Sequence, residues 1–280
     1  MTVLALPFPA LDPVLVEIGP FAIRWYALAY IAGIVLGWWG ARRLAALPPA
    51  VATRAQVDDF VTWATLGIIL GGRLGYVLLY RPLHYLHNPL EIPAVWQGGM
   101  SFHGGALGVI LAAWLFCRRR GLDPVAFADR VAPVVPVGLL LGRLANFING
   151  ELWGRVTEVP WGMVFPGAGP LPRHPSQLYQ AFLEGAVLLA LLLWLASRPA
   201  LRARRGFLSG AFLAGYGVAR IIGEMFRQPD AHLGFLPGGV TMGQVLSVPM
   251  VAAGLWLMLR ARPLAAREAA DLRAPGRDAA

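Results

Sequence analysis

The chain has 280 residues, of which 57% are hydrophobic and 14% charged, with a mean hydropathy of +0.59. That balance excludes an ordinary soluble domain and marks an integral membrane protein. The net charge of +9 does not describe a nucleic-acid surface, because all 24 basic residues are Arg and they stand in short clusters between apolar runs.

Residues 1 to 19 carry Asp12 and Glu17 but no Arg, so they lack the basic segment of a cleaved signal peptide and read as a short ordered lead-in. A first span is expected from about Phe21 to Leu44, with Arg24 and Tyr26 near its start and Gly33 and Gly37 spaced for close helix contact. The second covers about Phe60 to Tyr80 and holds Arg73 among Gly67, Gly71, Gly72 and Gly75. The connector Arg81 to Ser101, rich in Pro, Trp and His, reads as interfacial. A third span begins near Phe102 and ends at Arg118, Arg119 and Arg120; the fourth runs from about Val125 to Arg143. After the loop Asn149 to Pro175 come a Leu-rich fifth span, about Gln177 to Ala196, a sixth, about Phe207 to Met225, and a seventh, about Met242 to Leu259. Segments of about twenty residues suit a bilayer core of about 30 Å. The predicted fold is thus an all-α integral membrane protein of seven transmembrane helices. Its transmembrane body is 1–262, followed by an Arg- and Ala-rich tail, 263–280, with too little apolar content to fold alone.

Alternate connectors set the orientation. One side collects sixteen Arg, from Arg42 to Arg277, and the other only Arg81, Arg155, Arg173 and Arg227. The bias predicts the amino terminus outside, the tail in the cytoplasm, and His103, Glu151 and Glu224 at the outer face.

The stretch Gly142 to Arg155, GRLANFINGELWGR, sets Arg143, Asn146, Asn149, Glu151 and Arg155 against an apolar run. Polar groups are expensive there, so the stretch reads as a site. If it is helical, Arg143, Asn146 and Gly150 share one face. Tyr216, Arg220 and Glu224 recur at a four-residue spacing, and Arg220 with Glu224 suits an ion pair that lets one helix carry both charges. A lipid-facing cavity lined by Arg143 and Arg220 suits a phosphodiester, because guanidinium offers a planar fork of donors and stays charged. His103 falls at an expected helix start, where the positive dipole end favours a neutral ring able to take a proton. Cys117, the single cysteine, reads as a packing residue. No His, Asp or Glu cluster has metal-ligand spacing, so no metal or other cofactor is expected.

Across these motifs the chain resembles the bacterial prolipoprotein diacylglyceryl transferases. The matching stretches are HGG at His103 to Gly105, GRLANFINGELWGR, RHPSQLYQ at Arg173 to Gln180, and YGVARIIGEMFRQPD at Tyr216 to Asp230. Two departures stand out: Ala145 replaces a common Gly, and the loop between Trp161 and Arg173 is short. The resemblance implies an enzyme of the bacterial cytoplasmic (inner) membrane, with its active site toward the periplasm. It would transfer the diacylglyceryl group of phosphatidylglycerol to the lipobox cysteine of preprolipoprotein signal peptides, forming a thioether and releasing glycerol phosphate.

The implied catalytic residues are His103, Arg143, Glu151 and Arg220, and the implied phosphatidylglycerol contacts are Tyr26, Arg73, Arg143, Asn146, Gly154, Tyr216, Arg220 and Glu224. His103 is the first candidate for the base, with Glu151 and Glu224 as rivals. The competing classes are a seven-span transporter of a lipid or anionic solute and a non-catalytic lipid-binding scaffold. The first favours polar groups near midplane on paired halves; the second would tolerate Arg143→Lys.

Overall fold

The computed structural model describes residues 5–9, 11–19, 21–229 and 234–264. All seven apolar segments are helical. The helices in chain order are α1 (Trp25–Ala45), α2 (Arg54–Leu79), a short connector helix α3 (Pro82–His87), α4 (Phe102–Arg120), α5 (Pro124–Val131) continuing into α6 (Val135–Ile148), α7 (Ser176–Gln180) continuing into α8 (Leu188–Ser197), the four-residue α9 (Pro199–Arg202), α10 (Phe207–Glu224) and α11 (Met242–Arg260).

Four of these stretches, Arg54–Leu79, Pro124–Ile148, Ser176–Ser197 and Met242–Arg260, are long and apolar enough to cross a membrane. In α1, α4 and α10 the Trp, Tyr, Gly, Arg and Glu residues dilute the apolar content. Two long stretches are irregular for local reasons. Between α5 and α6 the chain tightens into a 3₁₀ turn, Ala132–Val134, at Pro133, and between α7 and α8 it widens into a π segment, Ala181–Val187.

Three small sheets correct the all-helical expectation. The strand β1 (Leu6–Pro7) pairs in parallel with β4 (Met163–Val164), and β5 (Arg204–Arg205) pairs with β6 (Arg262–Pro263). The hairpin of β2 (Val14–Ile18) and β3 (Phe21–Arg24) places Phe21 and Arg24 on a strand, so the first helix starts at Trp25. The positive φ of Gly19 permits the turn between them. Of the tail expected to be disordered, residues 265–280 lie outside the described residues.

The chain divides into two compact units. One holds residues 1–41 and 129–263. Its core is Leu188, Leu192 and Ala211, joined by Leu195, Phe212, Tyr216 and Met258. Small residues bring its helices close. A Cβ on Gly210 would come 2.6 Å from the Gly254 carbonyl oxygen, and one on Gly33 would come 3.2 Å from the Cα of Gly138. Gly37, expected to share that contact, faces open space; Gly40, packed on Val134, takes its place. Asp129, buried, accepts from the Gly206 and Ser209 amides and the Ser209 hydroxyl, and so caps the start of α10.

The other unit holds Arg42 to Ala128. In it α2, started by a Thr53 and Gln56 capping box, runs antiparallel to α4. Gly67, Gly71 and Gly75 lie against the backbone of Gly104 and Gly108, closer than any Cβ allows. Phe60, Phe116 and Phe127 close one end of this unit with ring centroids 5.0 to 5.7 Å apart.

Candidate active site

The helix α6 delivers Arg143 and Asn146 and then stops. It ends at Ile148, and Gly150 turns the chain with a φ of +65°, so Gly150 leaves the helical face expected from its spacing. That reversal carries Glu151 back toward α6. Its Oε1 accepts from Asn146 Nδ2 at 2.9 Å and Asn149 Nδ2 at 3.2 Å. Tyr26 of α1 lies within hydrogen-bonding reach of Asn146 and close to the Glu151 charge. The next residue, Leu152, has a φ of +57°, an uncommon conformation for a residue with a side chain. The start of α7 holds it there: Gln177 Nε2 donates to the Glu151 carbonyl at 2.6 Å, and Ser176 Oγ to the Leu152 carbonyl at 3.0 Å.

Beside this loop lies a chain of alternating charges. Glu184, in the π segment, is 0% exposed. Its Oε2 accepts from Arg143 Nε at 3.2 Å and Nη2 at 3.0 Å, and its Oε1 faces Arg220 Nη1 at 3.5 Å. Arg220 Nη2 then pairs with Glu224 Oε1 at 2.7 Å, the ion pair expected from their spacing. Arg227 Nη1 meets the same oxygen at 3.1 Å, and Thr241 Oγ1 donates to Glu224 Oε2 at 2.6 Å. Tyr216 sits among Glu184, Arg220, Arg143 and Glu224. The result is a run of Arg and Glu in which each carboxylate is matched, which is what makes burial of both charge types tolerable.

Gly154 and Arg155 tie the loop to the end of α10. Gly154 donates to the His174 carbonyl at 2.9 Å, and Arg155 to the Phe226 carbonyl at 2.8 Å. The Arg155 guanidinium reaches the carbonyls of Glu224 and Arg227 at 3.0 and 3.1 Å, satisfying the end of that helix. A Cβ on Gly154 would stand 2.5 Å from the His174 oxygen and 2.6 Å from the Phe226 oxygen, so this strap crosses two backbones where only Gly fits.

His174 lies over the strap. Trp161 Nε1 donates to Tyr179 Oη at 2.6 Å, and the same hydroxyl is hydrogen-bonded to His174 Nδ1 at 3.2 Å. Burial, with the nearby Arg155 charge, holds the His174 imidazolium below the usual range.

Two expected site residues belong to the second unit. His103 stands exposed in the first turn of α4, after Ser101, whose hydroxyl accepts from the Gly104 amide at 3.2 Å. Arg73 is 4% exposed and makes four hydrogen bonds to carbonyls. They go to Ile92 at 2.7 Å, Gly98 at 2.6 Å, Gly99 at 3.3 Å and Glu91 at 2.6 Å. Its guanidinium also stacks on Tyr85, 5.1 Å from the ring centroid. Arg73, expected among the phosphatidylglycerol contacts, thus gives these four hydrogen bonds to the connector Arg81 to Ser101.

A family model for prolipoprotein diacylglyceryl transferase matches residues 13–260. The chain belongs to that family. Similar relatives are the proteins named phosphatidylglycerol–prolipoprotein diacylglyceryl transferase in three organisms. The one from Paramagnetospirillum magneticum is 63% identical over 91% of this chain and 95% of its own length. That of Rhodospirillum rubrum is 62% identical over 93% and 97%, and that of Gluconacetobacter diazotrophicus 60% identical over 93% and 94%.

Of the residues implied by family resemblance, the first unit brings together Tyr26, Arg143, Asn146, Glu151, Gly154, Tyr216, Arg220 and Glu224. Three participants were missed in the sequence: Glu184, Gln177 and Thr241. A signal for Glu184 was present, since a lone carboxylate in a Leu-rich span demands a buried cation. Nothing local marked Thr241, whose role depends on α11 packing beside α10.

Proposed function

We propose that the protein transfers the diacylglyceryl group of phosphatidylglycerol to the cysteine thiol of a prolipoprotein. The family membership supports the reaction class, and the Arg143, Glu184, Arg220 and Glu224 chain carries the assignment of the lipid grip. Glu184 takes the Nε and Nη2 edge of Arg143, which fixes the guanidinium plane and leaves Nη1 without a protein partner among the described residues. The phosphodiester meets preordered donors there instead of flexible cations. Attack by the thiolate on the glycerol carbon forms the C–S bond while the C–O bond to phosphate breaks. Glycerol phosphate departs with the electron pair and one added negative charge. Stabilising that charge is the work of Arg143 and Arg220, worth about 3 kcal/mol each if they act like oxyanion-hole donors.

The thiol must lose its proton first. Glu224 is poorly placed as base, since both oxygens are held by Arg220, Arg227 and Thr241. Its role is to position Arg220. The family resemblance names His103 first for taking that proton. Glu151 shapes the loop by accepting from two amides.

The catalytic body is 1–262, crossing the bacterial inner membrane seven times with the amino terminus outside, the tail in the cytoplasm and the site toward the periplasm. The imbalance of sixteen Arg to four between alternate connectors supports that orientation.

The test incubates purified protein with glycerol-labelled phosphatidylglycerol and a lipobox peptide carrying one cysteine. The expected result is a peptide gaining one diacylglyceryl mass as labelled glycerol phosphate appears, with neither seen when that Cys becomes Ser. Folded protein giving neither product overturns the assignment.

A further inference from the structure

Three long helical stretches end in the same local device. Trp114 and Arg118 in α4, Trp194 of α8 and the following Arg198, and Trp256 and Arg260 in α11 are each four residues apart, which places both side chains on one helical face. The guanidinium carbon stands over the indole ring at 4.9, 5.0 and 5.5 Å in turn. Within the second unit Arg119 repeats the stack on Trp63 of α2, at 5.1 Å. The three Trp are 43%, 53% and 56% exposed, and their Arg are exposed too. The same spacing recurs in sequence near the end of α1, at Trp38 and Arg42 and at Trp39 and Arg43.

A guanidinium stacked on a ring uses its face. Its five N–H groups lie in the plane and point away from the ring, so stacking removes rotamer freedom without consuming donors. Each pair is therefore a preordered fork beside an indole N–H. Indole rings settle at headgroup depth, and the carbonyls at a helix C-terminus favour a cation there. One turn and more below each pair the surface is exposed and apolar, with Leu107 and Leu111 on α4, Leu191 on α8, and Val245 and Val248 on α11. The occupant must then offer phosphate oxygens at the level of the indole and acyl chain beneath it. A soluble polyanion fits the first requirement and fails the second.

We propose that the Trp–Arg ends of α4, α8 and α11 are headgroup clamps that hold anionic phospholipid. In the topology proposed above these ends share the cytoplasmic side, so the clamped lipids are distinct from the lipid consumed. They anchor helices and take no part in transfer.

The test measures thermal unfolding of the full-length protein in detergent with added phosphatidylserine, which is anionic but lacks a glycerol headgroup, against phosphatidylcholine. Wild-type protein is expected to gain about 5 °C more from phosphatidylserine. The triple variant W114L/W194L/W256L, which keeps every Arg, is expected to lose most of that difference while turning over phosphatidylglycerol within about twofold of wild type. Equal stabilisation by the two lipids in wild type overturns the proposal. So does a full phosphatidylserine effect in the triple variant, since charge alone would then suffice. If the triple variant does not fold, native mass spectrometry of the single variants decides: each should retain about one fewer phosphatidylserine, and unchanged retention overturns the clamp. The melting and lipid-retention readouts do not require turnover, so they stand or fall apart from the transferase assignment.

Discussion

Arg143 and Arg73 both lie within apolar helices, in similar contexts, LGRLANFI and GGRLGYVL, and the structure uses them oppositely. Arg143 is oriented by a carboxylate on one edge, and its other edge keeps donors. Arg73 gives four hydrogen bonds to backbone carbonyls and a stack to Tyr85, and so folds a connector. A guanidinium within a span is expensive in either case. What differs is whether its partners take most of its donors, as at Arg73, or only one edge, as at Arg143.

The sharpest way to break that contrast is to keep the charge and remove the fork. Arg143→Lys and Arg220→Lys are each expected to lower turnover of phosphatidylglycerol at least about 100-fold in folded protein, a loss of about 2.7 kcal/mol or more. Near-normal turnover, measured as released glycerol phosphate, would show that charge suffices and would remove the bidentate grip. The next effect concerns the aiming group. Glu184→Gln keeps the shape but leaves Arg143 and Arg220 without a shared anion. A fall of about 10- to 100-fold in kcat/KM is expected, and a circular-dichroism melt would show whether folding is spared.

Arg73→Lys supplies the counter-case. It should cost about 1–3 kcal/mol of stability through lost carbonyl hydrogen bonds, visible as a lower Tm, while turnover per folded molecule stays within about twofold. A selective loss of turnover would put Arg73 back among the lipid contacts.

The smallest effect is a pH dependence at His174. Its folded state resists protonation because of burial and then Arg155. The unfolded chain therefore binds the proton more readily, and stability is full above the ordinary pKa of 6.5 and declines as pH falls below it toward the depressed folded value. A Tm drop of about 1–3 °C between pH 7.5 and pH 5.5 is expected, and His174→Phe should flatten it. An unchanged slope in the variant would assign the dependence to another group.

Much of this molecule was legible as sequence. Apolar runs of about twenty residues located all seven helices, because burial of backbone polar groups in a bilayer permits little else. The four-residue spacing of Arg220 and Glu224 gave their ion pair, since that distance is fixed by the helix itself. Boundaries were less readable where local chemistry competes. The Phe21–Arg24 strand and the π segment at Ala181–Val187 both interrupt the expected spans, each where the apolar run takes in one charged residue, Arg24 or Glu184.

The sequence by itself determined the membrane class, the order of the helices, the family, and the presence of Arg143 and Arg220 as groups suited to phosphate. Only the tertiary structure decided that Glu184 joins those two Arg, that Thr241 hydrogen-bonds Glu224, and that Arg73 meets the carbonyls of Glu91, Ile92, Gly98 and Gly99. The physical reason is distance along the chain. Glu184 lies 41 residues from Arg143 and 36 from Arg220, and no local pattern records which helices will pack side by side to bring a buried charge its partner.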